Sequence, residues 1–165
     1  MTESVEKIKG LAEARRDFAS ASEELRERRG YTLGYERPLI VRCFDSRLDG
    51  IFSSFLKENG WSHKDLISLP GGARALASDH PADAASNQAI MEAIDVSIRA
   101  HDAKWIILTI HFDCKGYGIA FPSEAAERER QQGDLIEAVR RVREKLPADF
   151  LVEGRYVDNT GIHPV

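Results

Sequence analysis

Two short stretches hold most of the side chains able to do chemistry. Cys43-Phe44-Asp45-Ser46-Arg47 sets a thiol, an acid and a base at alternate positions. His111-Phe112-Asp113-Cys114 sets an imidazole and a thiol three residues apart. Cys43 and Cys114 are the only cysteines of the chain. Cys, His and Cys make a zinc ligand set that leaves a fourth position open, as catalytic zinc sites do. The His-x-x-Cys spacing lets one loop give two ligands, and the distant cysteine brings in another. Each piece alone has an ordinary reading. Buried free thiols behave as small hydrophobes, a lone His-x-x-Cys is a weak motif, and a lone Asp-x-Arg is usually a surface ion pair worth little. The conjunction favours metal, because it uses every cysteine and adds an acid and a base beside the first ligand.

The elements that must position these residues follow from hydrophobic patterning. Pro38 to Cys43 is a short apolar run typical of a strand buried on both faces. Ile51, Phe52, Phe55 and Leu56 mark a helix that ends at Asn59-Gly60. Leu66 to Leu69 reads as a second strand, followed by the turn Pro70-Gly71-Gly72. Residues 74–85 read as a loop with at most a short helix. Ile90, Met91, Ile94 and Ile98 fall on one face of a helix over Asn87–His101, and Trp105 to Ile110 is the clearest buried strand. Phe121 to Gln132 reads as a polar helical stretch, followed by a separate amphipathic helix from Leu135 to Leu146 that stops at Pro147. Phe150 to Val157 reads as a strand, and Asp158 to Val165 as a turn and short edge strand. Strands alternating with helices predict an α/β fold with a mostly parallel central sheet flanked by helices. Both motifs then fall at carboxyl ends of strands, where such sheets gather ligands.

Residues 1–30 are charged, with Ile8, Leu11, Phe18, Ala21 and Leu25 at near-helical spacing. They predict a helical arm laid over something else, such as another subunit. The expected organisation is one domain over residues 1–165, with the arm at 1–30 and an α/β core at 36–165. A net charge of −4 argues against a general nucleic-acid or anionic-membrane binder. No apolar run approaches the length needed to span a bilayer, and the amino terminus lacks a signal-like apolar stretch. A cytoplasmic location is the expectation, and a structural disulfide is not expected there.

At CFDSR and HFDC the sequence resembles the β-class carbonic anhydrases. Their signature is Cys-x-Asp-x-Arg after the first strand and His-x-x-Cys after the third. The resemblance covers most of residues 36–160 and includes the strand–helix order. It implies that Cys43, His111 and Cys114 bind Zn²⁺, whose bound water becomes hydroxide near neutral pH. It implies that Asp45 orients that hydroxide toward carbon dioxide while Arg47 clamps the carboxylate. The implied reaction is reversible hydration of carbon dioxide to bicarbonate and a proton. The implied assembly is a homodimer or higher homo-oligomer. In some members the aspartate becomes the fourth zinc ligand, and the sequence leaves both states of Asp45 open.

The chain departs from that family in the pocket wall. Where relatives carry a segment like Arg-Asn-Ala-Gly, this chain reads Leu69-Pro70-Gly71-Gly72-Ala73-Arg74. Gly71 and Gly72 still permit close backbone approach to the substrate pocket. Lys115 follows the second cysteine where glycine is common, and is expected to point to solvent. No residue is assigned to the glutamine that lines many pockets of the family. These changes leave two alternatives open: a zinc hydrolase of carbonyl sulfide or carbon disulfide on the same fold, or a non-catalytic zinc-binding homologue. His63, His80, His101 and His163 read as structural or exposed. Asp113 reads equally as a contact to the site or as a solvated carboxylate, and Tyr117 and Phe121 as a pocket wall or as packing.

Overall fold

Two apolar runs form the centre of the molecule. Leu39–Arg42 is strand β1 and Trp105–His111 is strand β3, and they pair in parallel with Ile40 beside Ile107. Their side chains from Leu39 to Val41 and from Ile106 to His111 are all buried. The structure is a computed structural model that describes residues 38–61 and 64–165. The expected arm at residues 1–30 and His63 lie outside the described residues.

The sheet has five strands in the order β2-β1-β3-β4-β5, with β2 at Asp65–Ser68, β4 at Leu151–Asp158 and β5 at Gly161–Pro164. All neighbours are parallel except β4 and β5, which form an antiparallel hairpin. The chain leaves β1 for β2 on one side and leaves β3 for β4 on the other. The loops after β1 and β3 therefore depart in opposite directions and open a crevice between the two strand ends.

Helix α1 (Asp49–Glu58) connects β1 to β2 and ends at Asn59-Gly60, where Gly60 is left-handed at φ 69°. A one-turn helix α2 (Arg74–Ala77) follows the Pro70-Gly71-Gly72 turn. Helix α3 (Ala84–His101) starts three residues before the expected position and packs on β1 and β2 through Ile90 and Ile94. Helix α4 (Glu124–Lys145) packs on β3 and β4. Gly154 in β4 makes room for it, since a Cβ there would lie 3.0 Å from Leu135 Cγ.

One expectation is corrected. Phe121–Gln132 and Leu135–Leu146 are not two helices. A single helix of 22 residues begins after Ser123, whose hydroxyl accepts from Ala126 N at 3.2 Å. Gln131, Leu135, Ala138 and Val142 form one continuous buried stripe across the supposed break. Gly133 sits on the exposed face with nothing within 4 Å of a built Cβ. A glycine there costs about 1 kcal/mol relative to alanine, too little to split a helix anchored along its whole length.

Candidate metal centre

Cys43 immediately follows β1, and His111 is the last residue of β3. A tight turn after His111 brings Cys114 back to the same rim. Asp113 makes that turn in the left-handed region at φ 54°. Phe112 N donates to Val157 O at 2.9 Å and ties the turn to β4. The Gly71-Gly72 loop from β2 closes over the crevice. Ala73 N donates to Thr109 O at 3.0 Å, and Thr109 Oγ1 donates to Val41 O at 2.9 Å. Gly72 is left-handed at φ +58°, and a Cβ on it would lie 2.5 Å from Thr109 O and 3.0 Å from Cys43 N. A Cβ on Gly116 would run into the Gly71 amide nitrogen. These loops pack main chain on main chain, which only glycine allows.

The Sγ atoms of Cys43 and Cys114 and a ring nitrogen of His111 lie within 4.8 Å of one another, and all three residues are buried. The two sulfurs are 3.9 Å apart. Two sulfurs at about 2.3 Å from one tetrahedral zinc ion stand about 3.8 Å apart. His111 Nδ1 contacts Phe112 O at 2.8 Å. A carbonyl only accepts, so Nδ1 carries the proton and Nε2 presents a lone pair. That Nε2 is buried with no hydrogen-bond partner. A buried polar atom left this way needs an explanation, and an ion is one.

The thiols tell the same story. The hydrogen bond with Cys114 lowers the Cys43 pKa against the opposing effect of burial, helped by the main-chain N–H groups of Asp45 and Gly71. The Cys114 pKa is pushed up by that same hydrogen bond, by burial and by the Cys43 charge. One proton is shared because two neighbouring thiolates repel. A divalent cation between them removes the conflict. Donor types, sulfur spacing and the orphaned imidazole nitrogen all fit zinc.

Asp45 and Arg47 stand beside this cluster. Asp45 caps the 3₁₀ turn Ser46–Leu48 by accepting from Arg47 N at 3.0 Å. Arg47 Nε donates to both Asp45 Oδ1 and Oδ2, at 3.1 and 3.0 Å, and Nη2 donates to Oδ2 at 2.7 Å, so the guanidinium edge engages both carboxylate oxygens. The Arg47 side chain, then its main-chain N–H, holds the Asp45 pKa down to about 2. The carboxylate is turned to Arg47 and lies outside the Cys–His–Cys cluster. A cavity of about 530 Å³ is lined by Cys43, Phe44, Asp45, Ser46, Pro70, Lys115 and Gly116.

Gly71 and Gly72, expected at the substrate pocket, do not line this cavity; their main chain packs against Cys43 and Thr109. Lys115 is exposed, yet its ammonium sits on Asp113 Oδ1 at 2.6 Å. Asp113 is not merely solvated: it also accepts from Arg47. Tyr117 is buried, packs edge-to-face on Phe121 at 5.6 Å, and donates to Asp134 at 3.0 Å. Gln131 is fully buried and accepts from the Tyr156 hydroxyl at 2.7 Å, away from the cavity lining. His80 caps a turn through Nδ1, and His163 bonds Asp158 and Thr160. Three features of the site had gone unread in the sequence: Thr109 bracing Val41, Gly116 pressed on Gly71, and the Arg47–Asp113 contact. Only the glycine type at position 116, directly after the Cys-Lys pair, hinted at any of them.

A family described as "Putative carbonic anhydrase" matches the chain over residues 36–164. Among curated proteins, none matches the sequence. Solved structures share the fold at low identity. Beta-carbonic anhydrase isoform I of the protozoan Trichomonas vaginalis superposes with a TM-score of 0.54 at 18% identity, covering 95% of this chain and 96% of that one. The beta-carbonic anhydrase CcaA gives 0.53 at 15% identity, covering 94% and 83%. A variant of the beta-carbonic anhydrase CafD of the fungus Aspergillus fumigatus gives 0.50 at 17% identity, covering 75% and 84%.

Proposed function

The chain belongs to the carbonic anhydrase family matched over residues 36–164, and from that premise we propose that it is a zinc enzyme interconverting carbon dioxide and bicarbonate. The observation that carries this reading is the buried Cys43–His111–Cys114 cluster with its partnerless His111 Nε2. Zinc, when bound, would supply a Lewis acid that makes water a nucleophile near neutral pH.

The chain's own residues do the rest. Cys43 and Cys114 would hold the ion as thiolates and His111 through Nε2, while Phe112 O holds the opposite ring proton. Asp45 accepts a hydrogen bond from the attacking oxygen at a carboxylate oxygen and so aims a lone pair at carbon. Arg47 keeps that carboxylate ionised and fixed by its fork. Gly71 and Gly72 let the wall of the crevice approach the ligands as main chain. Phe44 and Pro70 give the cavity an apolar side suited to an uncharged linear gas. Water adds to carbon dioxide, bicarbonate leaves, and one proton passes to solvent.

Among the described residues no helix is long and apolar enough to cross a membrane. A cytoplasmic location and a homodimeric or larger assembly complete the proposal. Stopped-flow hydration of carbon dioxide by the zinc-loaded chain tests it, with carbonyl sulfide hydrolysis assayed in parallel. Hydration well above buffer, reduced in Asp45→Asn, is the expected result. Turnover of carbonyl sulfide alone would move the chain to the hydrolase reading. Turnover of neither would leave a non-catalytic zinc protein, a reading that gives the Asp45–Arg47 fork beside the cavity no purpose.

A further inference from the structure

The candidate centre is built from two loops. The loop after β1 gives Cys43, Asp45 and Arg47, and the loop after β3 gives His111, Asp113 and Cys114. One side chain links the two loops through its polar groups on both sides. The Nε–Nη2 edge of Arg47 holds Asp45, at 3.0 and 2.7 Å. Its outer edge faces the other loop: Nη1 donates to Asp113 Oδ2 at 3.0 Å and Nη2 to Asp113 O at 3.2 Å. The planar fork of a guanidinium has hydrogens enough for both edges, so the two aspartates do not compete.

Asp113 is suited to this task in two ways. Aspartate tolerates the left-handed backbone needed between His111 and Cys114. Lys115 occupies its Oδ1 and leaves Oδ2 to Arg47. Without Asp113, the half-exposed Arg47 would be tied only to a residue two positions away in its own loop.

We propose that Asp113 is a positioning residue, whose carboxylate and main-chain carbonyl fix the Arg47 guanidinium across the two loops and thereby fix the Asp45 carboxylate. The inference rests on the reading of Asp45 as the hydrogen-bond acceptor in hydration. An ordinary exposed ion pair would contribute almost nothing. The distinguishing feature is that both edges of one guanidinium are engaged, one of them partly by main chain.

The test uses the full zinc-loaded chain and the variants Asp113→Gly, Asp113→Asn and Arg47→Ala, with the Asp113→Gly/Arg47→Ala double. Glycine keeps the left-handed backbone and the main-chain carbonyl while deleting the carboxylate. Asparagine keeps the backbone tolerance and one oxygen acceptor. Two quantities are read: kcat and KM for carbon dioxide, and the ¹⁵N–¹H signal of Arg47 Nε–H, identified by its loss in Arg47→Ala.

Asp113→Gly is expected to lower kcat about tenfold with KM unchanged, and to merge the Nε–H signal with those of free arginines. Asp113→Asn should fall between it and the natural chain. In the Arg47→Ala background, Asp113→Gly should add nothing. An equal loss of kcat in that background overturns the proposal, as does an unchanged kcat with an unchanged signal. If Asp113→Gly does not fold, Asp113→Asn carries the same comparison. If the natural chain hydrates no carbon dioxide, the reaction reading fails and the Nε–H signal decides alone. Its loss in Asp113→Gly upholds the anchor, and its persistence overturns it.

Discussion

His101 and His111 stand at opposite ends of the same sheet and are treated in opposite ways. His101 is the last residue of helix α3 and lies beside the amino end of the sheet. Its Nδ1 meets Asp65 Oδ2 at 2.6 Å, and the Ser97 hydroxyl donates to the same oxygen at 2.5 Å. Trp61 packs edge-to-face on Trp105 and Phe55 nearby, with ring centroids 4.6 and 5.5 Å apart. His111 closes β3 at the carboxyl end. Its Nδ1 is tied to a carbonyl, and its Nε2 is buried beside two thiols with no partner. His101 thus has a carboxylate partner, although Trp105 Nε1 near it is buried without one, whereas the partnerless nitrogen of His111 faces two thiols.

The largest effect that would break this contrast is at the ligands. Cys114→Ser should lose zinc and drop carbon dioxide hydration on the order of a thousandfold, measured by metal analysis and stopped flow. Next is the loop that closes the carboxyl rim. Gly72→Ala places a Cβ 2.5 Å from Thr109 O at a left-handed φ. It should cost about 3 kcal/mol in denaturant unfolding, with weakened zinc retention. Asp45→Asn leaves the ligand set whole, so zinc stays bound while kcat falls about 10- to 100-fold. At the far end, Asp65→Asn should cost about 1 kcal/mol of stability and leave kcat unchanged.

The smallest effect is a pH dependence. Arg47 holds the Asp45 pKa at about 2, below its ordinary value of 3.8. A depressed carboxyl adds stability that is present above the unfolded value and lost as pH falls toward the folded one. Between pH 4 and 2, natural chain and Asp45→Asn should therefore converge slightly in urea midpoint. Both groups are partly exposed, so the convergence is small. Above pH 5, Asp45 stays ionised and contributes no titration to the rate profile.

Much of this was legible because burial writes itself into patterns. The runs at Leu39–Val41 and Trp105–Ile110 are apolar but for Thr109, since β1 and β3 lie inside the sheet. The grouping of Cys43, His111 and Cys114 followed from their places at the ends of those strands. The break expected before Leu135 did not occur, because tertiary anchoring of the stripe from Gln131 to Val142 outweighs local composition. The Arg47–Asp113 contact joins residues 66 apart through loop geometry, which leaves no periodic trace. Gly116 against Gly71 is a matter of main-chain distance, at which only the glycine type at position 116 hints.

The most direct test of the contrast between the two ends is the zinc-to-chain ratio of the purified protein, measured by elemental analysis alongside His111→Ala and His101→Ala. The expected result is one zinc per natural chain, one in His101→Ala and none in His111→Ala. A natural chain that neither retains nor takes up zinc, or a His111→Ala chain that binds it as well as the natural one, would contradict the metal centre.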